Sequence, residues 1–387
     1  MKHRALRIAM IGCKGIPASA AQGGGIETHV EELATRLAAH GHRVTVYVRP
    51  YANPQRLKFW KGVTLITLPT LRRKNFDAIT HTFLASCHVL FRRADIIHYH
   101  AVGPSTLAWI PRLFAWRSRV VVTFHSRDRF HEKWGTFARA YLAFGEWTAV
   151  TYPHATIVVS HVLQLFAKRM YGATHLVYIP SGVNIPKSHP GSELLSRFNL
   201  RSGAYFFTLS RLMPMKAIED AIEAFYGVTT GMRLAIVGAA TTENDTYHQS
   251  LKELASRDGR VVLLGHQSDR ELDQLIANAT AMIHPSRTEG LSIAILETMA
   301  HGKLVIMSDI PENRELVDHS GIAYKVGDVN ALRETLQWVV SDPALVEERG
   351  QRAREVIERL YSWNSVVARI EALYESLIAD RDARSYD

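Results

Sequence analysis

A chain of 387 residues is longer than one ordinary hydrophobic core supports, so two domains of roughly 200 residues each are expected. With 47% hydrophobic and 21% charged residues it has a soluble globular composition, and no run reaches the ~18 uncharged apolar residues that would cross a bilayer. The net charge of +9 hides an asymmetry: residues 1–180 hold 24 Lys+Arg against 8 Asp+Glu, and the remainder is acidic. The N-terminal half is therefore expected to meet an anionic partner, either a phosphate-bearing substrate or an acidic membrane surface. Nucleic acid is not expected, because no binding module and no basic-aromatic interleaving is recognised.

The N-terminal MKHRALRIAMIG runs straight into a predicted strand without a small-residue cleavage site, so no signal peptide is expected. IETHVEELATRLAAH places Ile26, Val30, Leu33 and Leu37 at helical spacing, Gly41 ends the helix, and RVTVYV resumes a strand. This βαβ unit implies a parallel sheet. Further strands are predicted in DIIHYH, VVVTFH and ATIVVS. Between them TFARAYLAFGEWTAV is the most membrane-like stretch, but Arg139 and Glu146 interrupt it. Only Cys13 and Cys87 are present, which excludes a disulfide framework and zinc spacing and fits a reducing cytoplasm.

The segment VYIPSGVNIPKSHPGSELL, from Val177, reads as a linker. Beyond it AYFFTLS, RLAIVG, RVVLLG, TAMIHPS and KLVIMS read as buried strands alternating with helices, and from about Asn330 the pattern is helical and charged. Two successive Rossmann-like βα domains are thus predicted, over 1–182 and 183–360.

Ligands of open parallel sheets sit outside the carboxyl ends of the strands. That rule selects CKGIPASAAQGGG after the first strand, His100 after DIIHYH, His125 after VVVTFH, Arg211 after AYFFTLS, and HPSRTEG after TAMI. Gly23-Gly24-Gly25 at a helix start permits close approach of an anion to backbone amides. A dinucleotide fingerprint is excluded: nothing fits G-x-G-x-x-G, and the second strand ends in Arg49-Pro50 rather than an acid.

Arg211 and Lys216, between a strand and the next helix, suit a diphosphate, Arg as a planar fork and Lys as a point charge. In HPSRTEGLSIAILETMA the amides of Gly290, Leu291 and Ser292 are expected at a helix N-terminus, where phosphate oxygens bind. Glu289 before that helix and Glu297 within it are suited to sugar and ribose hydroxyls. A helix cap and an ion pair explain the same spacing, which alone leaves both readings open. His98 and His100 share a strand face; packing or an acceptor contact fits two histidines better than a metal. Met213 and Met215 read as packing residues.

Arg211, Lys216 and E-x7-E in EGLSIAILE together resemble family 4 of the glycosyltransferases. So do GGGIETHVEELATRLAAHGHRVTVYVR, TFHSRDRFHEKWGTFARAYLAFGEW and the interdomain VYIPSGVN, so the likeness runs from about Arg7 to at least Val317. GIPASAAQGGGIET most resembles bacterial rhamnosyltransferase-type members that build surface polysaccharides. Three departures stand out: Met215-Lys216-Ala217 where Glu-Lys-Gly is usual, Ser181 and Asn184 where Asn and Asp are common, and extra small residues in Cys13–Gly25.

The resemblance implies an α/β chain of GT-B fold, two Rossmann-like domains with parallel sheets facing a central cleft. The first domain would serve the acceptor and the second the nucleotide-sugar donor, with a helix over about 361–381 packing back on the first. It implies a retaining, metal-independent hexosyltransferase without cofactors. The acceptor would be a glycan, a lipid-linked molecule or another hydroxyl, and the enzyme would be cytoplasmic or peripheral on the inner membrane face. Arg211 and Lys216 would meet the charge of the departing diphosphate, helped by amides at Gly290 and Leu291 and by those of Gly24 and Gly25. Glu297 would hold the ribose, Glu289 and His125 the transferred sugar, and Glu27 would lie near the acceptor. A GT-B-fold sugar-nucleotide epimerase and a non-catalytic nucleotide-sugar binding protein are the alternative functions.

Overall fold

The computed structural model describes residues 4–19, 24–73, 76–127, 129, 135–239, 246–267, 269–318 and 320–383. Two compact units account for them, Met1–Gly182 together with Trp363–Asp387, and Val183–Ser362.

The first unit runs β1 (Arg7–Ile11), α1 (Gly25–Ala39), β2 (Arg43–Val48), β3 (Phe59–Trp60), β4 (Val63–Thr67), α2 (Asp77–Leu90) and β5 (Ile96–His100). It continues with α3 (Val102–Ser105), α4 (Trp109–Phe114), β6 (Arg119–Phe124), α5 (Thr136–Thr151), β7 (Ala155–Val158), α6 (His161–Tyr171) and β8 (Leu176–Tyr178). The second holds β9 (Tyr205–Leu209), α7 (Ile218–Tyr226), β10 (Arg233–Val237), α8 (Thr246–Ala255), β11 (Val261–Gly265), α9 (Asp269–Ala277) and β12 (Ala281–His284). There follow α10 (Ile293–Ala300), β13 (Leu304–Ser308), α11 (Pro311–Val317), β14 (Ile322–Tyr324), α12 (Val329–Ser341) and α13 (Pro343–Leu360). The final helix, α14 (Trp363–Ala383), belongs to the first unit.

Sheet order in the first unit is β3-β4-β2-β1-β5-β6-β7-β8, parallel except for β3 against β4. In the second it is β11-β10-β9-β12-β13-β14, with every pairing parallel. The strand order reverses between β1 and β5 and again between β9 and β12, and those two switch points open crevices at their carboxyl ends. Both faces of each sheet are covered, which is why the strands read as continuous apolar runs. In the first unit α1 and α14 cover one face through Val30, Leu33, Val366 and Ile370. Ala85 and Val89 of α2 and Ala149 of α5 cover the other.

The segment from Val177 corrects the sequence reading at its start, where Leu176–Tyr178 is the edge strand β8 paired to β7. The edge strands β3 and β14, and β4 beside β3, were not anticipated either. They are two to five residues long, too short to show a period.

Candidate active site

The second unit brings Arg211, Lys216 and Glu289 to the crevice between β9 and β12. The exit of β9 lies against the exit of β10: the Ser210 amide donates to the Val237 carbonyl at 3.1 Å. Gly238 makes this possible. Its φ is +154°, and a Cβ there would stand 1.8 Å from the Ser210 carbonyl oxygen, so any side chain would push the Arg211 loop outward. Arg211 is exposed.

A 3-10 turn over Pro214–Lys216 then leads to Ala217, buried in the left-handed region with φ 49° and ψ 41°. This is the position at which the sequence departs from the usual glycine, and alanine there bears a strain of about 1 kcal/mol. Ala217→Gly is therefore expected to stabilise the second unit by about 1 kcal/mol without moving Lys216. Unchanged or lowered stability in denaturant melts would contradict it.

The loop from β12 to α10 is fastened to this turn. The Arg287 amide donates to the Met215 carbonyl at 2.9 Å, and its guanidinium lies 3.2 Å from both carboxylate oxygens of Asp220. From the other side Ser308 Oγ donates to the Ser286 carbonyl at 2.5 Å, and Asn313 Nδ2 donates to the Ser308 carbonyl at 3.0 Å. Held in this way, Glu289 Oε1 accepts from Lys216 Nζ at 2.5 Å and lies 2.8 Å from His284 Nε2, which is itself 3.2 Å from Ser286 Oγ. Burial by itself would raise the Glu289 pKa. The hydrogen bond and charge of His284, with Lys216 beside it, outweigh burial and hold the carboxyl down at about 2.

Glu289 is thus neither exposed nor the helix cap; it orients Lys216. His284 escaped the sequence reading, though it is the last residue of β12 and strand ends at a switch point are where site residues sit. The amide assignment needs correction too. Helix α10 begins at Ile293 with Ser292 as its cap, so Gly290 and Leu291 precede the cap and the first-turn amides are those of Ile293 onward. Glu297 lies half-buried just over one turn in, while Ile295, Leu296, Thr298, Met299 and Ala300 are buried in the core.

At the first unit's switch point, Gly24 caps α1 with φ −106°, and a Cβ added at Gly24 or Gly25 would meet nothing within 4 Å among the described residues. Gly23 lies outside the described residues. Glu27 is buried, with Oε2 accepting from the Gly24 amide at 2.8 Å and Oε1 from the Lys14 amide at 3.0 Å, so it positions the loop.

His29, His98, His100 and His125 form a cluster, with ring centroids of His98 and His100 4.1 Å apart and those of His29 and His125 4.7 Å apart. His98 is a packing residue, its nitrogens 2.7 Å from Tyr374 Oη and 2.7 Å from Thr123 Oγ1. Both nitrogens of His29 and His100, and Nε2 of His125, lack a partner among the described residues.

Ligand atoms of His29, His100 and His125 lie within 4.8 Å of one another. A tetrahedral ion with bonds of ~2.0–2.1 Å needs its nitrogens ~3.4 Å apart. Metal-bound imidazoles also donate their second N–H to an acceptor. The cluster supplies no such acceptors among the described residues, so it fits hydroxyl groups, which pair with a neutral imidazole's one donor and one acceptor, better than an ion. The chain spells one D-x-D, Asp380-Arg381-Asp382 on α14, and its Asp382 is bound by Arg381 and by Arg4, which precedes β1.

Burial keeps these histidines neutral, lowering His29 to about 4 and His98, helped by His29, to about 3. Burial first, and then the neighbouring rings, also lower His100 and His125 well below the usual imidazole value. Below pH 6.5 the unfolded chain binds protons that the folded cluster refuses, so stability present above pH 6.5 is lost as pH falls towards the folded values. About 1–2 kcal/mol per histidine is expected to go between pH 7 and 5. A melting temperature flat across that window would contradict it.

Residues 23–186 match the family model described as Glycosyltransferase Family 4, and residues 197–356 match Glycosyl transferases group 1. The chain belongs to the family 4 glycosyltransferases. It is 26% identical to glycogen synthase of Mycobacterium tuberculosis over 404 residues, covering 93% of this chain and 92% of that one. It is 24% identical to phosphatidyl-myo-inositol mannosyltransferase of Mycolicibacterium smegmatis, covering 92% and 90%. Among solved structures, sucrose-phosphate synthase from Thermosynechococcus elongatus superposes with a TM-score of 0.81 at 22% identity, over 96% of this chain and 99% of that one. An Anabaena protein in complex with UDP and glucose gives 0.76 at 18% identity, over 96% and 100%. The fold of this glycosyltransferase is GT-B.

Proposed function

We propose that this glycosyltransferase moves a hexose from a nucleotide-diphosphate donor to an acceptor hydroxyl with retention of anomeric configuration. The observation that carries the reading is the Arg211, Lys216 and Glu289 arrangement at the β9/β12 switch point. Lys216 Nζ has three donors, of which one is fixed by Glu289 and two remain for the oxygens of a departing diphosphate. Arg211 adds an exposed planar fork on the same loop. Cations fixed in advance where charge develops lower the barrier without reorganising. They supply the neutralisation a divalent ion would give, so the reaction is proposed to need no metal or other cofactor.

Glu289 Oε2 is proposed to take a hydroxyl of the transferred sugar, Glu297 the ribose, and the open nitrogen of His125 a further sugar hydroxyl. Amides near Ser292 and the open backbone at Gly24 and Gly25 are proposed to receive phosphate oxygens. Bacterial surface polysaccharide or glycolipid synthesis, on the cytoplasmic side of an anionic membrane, is the proposed setting. The mannosyltransferase relative, the free thiols of Cys13 and Cys87, and the basic N-terminal half support it.

A thermal-shift screen of nucleotide-sugars followed by transfer assays tests the function. Acceptor-dependent product is expected. Epimerised donor formed without acceptor, or donor binding without turnover, would overturn the proposal. Glu297→Ala is expected to weaken donor binding about 10- to 100-fold, the loss of one charged hydrogen-bonding group. An unchanged donor affinity in calorimetry would remove Glu297 from the site.

A further inference from the structure

The alternation of β12 puts Met282 and His284 on one face of the sheet. Met282 joins Ile295, Leu296 and Met299 of α10 in the core on that face. His284 continues the row at the carboxyl end of the strand and is just as buried, at a place where an apolar side chain would need no partner. Its imidazole ends instead 2.8 Å from Glu289 Oε1, with Ser286 Oγ at 3.2 Å. The contrast with His98 is direct: that ring, buried for packing, ends on Tyr374 and Thr123, whereas His284 ends on a carboxylate of the switch point.

Glu289 Oε1 is used twice, by His284 Nε2 and by Lys216 Nζ. Two lone pairs serve each carboxylate oxygen, so Oε1 is filled, and Oε2 has no hydrogen-bond partner among the described residues. An ionised carboxylate only accepts, so His284 Nε2 carries a hydrogen whether the ring is neutral or charged. Lys216 alone, a point charge on a flexible stem, would let the two oxygens exchange. The imidazole, fixed on a strand end, holds Oε1 from a second direction and stops that rotation.

We propose that His284 is a positioning residue that sets which donor sugar is accepted, by leaving Glu289 a single oxygen with which to read one hydroxyl. The inference rests on the proposed hexose transfer, in which Oε2 meets the sugar. A carboxylate with both oxygens open can straddle two vicinal hydroxyls or turn to whichever is in reach. With Oε1 held, Oε2 accepts in one place. A sugar that offers a hydrogen, a fluorine or an inverted hydroxyl there leaves a nearly buried acceptor unpaired, and sites built to hydrogen-bond a hydroxyl reject such analogues strongly. Specificity is the difference between those two affinities.

Two variants separate this role from packing. His284→Gln can present an amide N–H where Nε2 stands, and His284→Leu fills the space without a donor. Calorimetry with UDP-glucose, UDP-N-acetylglucosamine and GDP-mannose selects the tightest donor, which is then compared with its monodeoxy and deoxyfluoro analogues. Wild type is expected to discriminate by about 10²-fold or more at one hydroxyl, equally against hydrogen and fluorine, since neither donates. His284→Leu is expected to bind the parent donor about 10- to 100-fold more weakly and to discriminate by no more than about tenfold, while His284→Gln keeps most of both. Nitrogen NMR of the histidine-labelled chain without donor, with His284→Gln identifying the signal, should show hydrogen on Nε2, a preference lost in Glu289→Ala. Unchanged discrimination in His284→Leu, equal losses in both variants, or a bare Nε2 would overturn the inference. Single-hydroxyl discrimination in binding without any transfer to an acceptor would strike the transfer proposal and support this one.

Discussion

Lys216→Ala is expected to lower turnover by about 10²- to 10³-fold, equivalent to the ~3–4 kcal/mol lost when one preorganised donor to a developing anion is removed. The geometry makes the position specific. Lys216 ends a 3-10 turn that is tied through Met215 to the amide of Arg287, and its Nζ is aimed by Glu289. An arginine at 216 would carry the charge but not the compact ammonium, so Lys216→Arg should restore only part of the rate. Because the interaction is made with the leaving group, the Michaelis constant should change far less than turnover. Steady-state kinetics with wild-type turnover in Lys216→Ala would remove the cation from the mechanism.

The second large effect is expected at Glu289. Glu289→Ala takes away the proposed sugar ligand and also strips the partner from Lys216, a cation that is only 15% exposed. Breaking a buried pair by deleting one side costs about 3–5 kcal/mol. Turnover and stability should therefore fall together, turnover by 10²-fold or more. Glu289→Gln keeps the shape and the hydrogen bond from Lys216 without the charge, and is expected to regain most of the stability but little of the rate. A double-mutant cycle with Lys216→Ala reads the coupling directly. Additive losses from the two single variants would mean that the pair does not act as a unit.

These two residues also mark the limit of what was legible in the linear chain. The apolar runs AYFFTLS and TAMIHPS identified β9 and β12, and the rule on strand carboxyl ends then singled out Arg211, Lys216 and the HPSRTEG loop. That Lys216 and Glu289, 73 positions apart, share a hydrogen bond could not be read from spacing. It depends on how Arg287 reaches back to Asp220 and Met215, a tertiary contact. His284 was passed over because a histidine ending a buried strand reads as core, and only its distance to Glu289 shows otherwise. Glu27 was named near the acceptor through the family resemblance, and its place in the first helical turn suited a structural carboxylate equally; the loop contacts at Lys14 and Gly24 that hold its two oxygens could not be read from spacing.

The claim at the centre of the account is that side-chain cations at the β9/β12 crevice meet the charge of the departing diphosphate. Acceptor-dependent release of nucleoside diphosphate, measured for wild type and Lys216→Ala in chelator and again with added magnesium, tests it most directly. The account predicts equal wild-type rates in both media and the same loss of about 10²-fold or more in Lys216→Ala. A wild-type rate abolished by chelator and restored by magnesium, with Lys216→Ala indistinguishable from wild type, would contradict it.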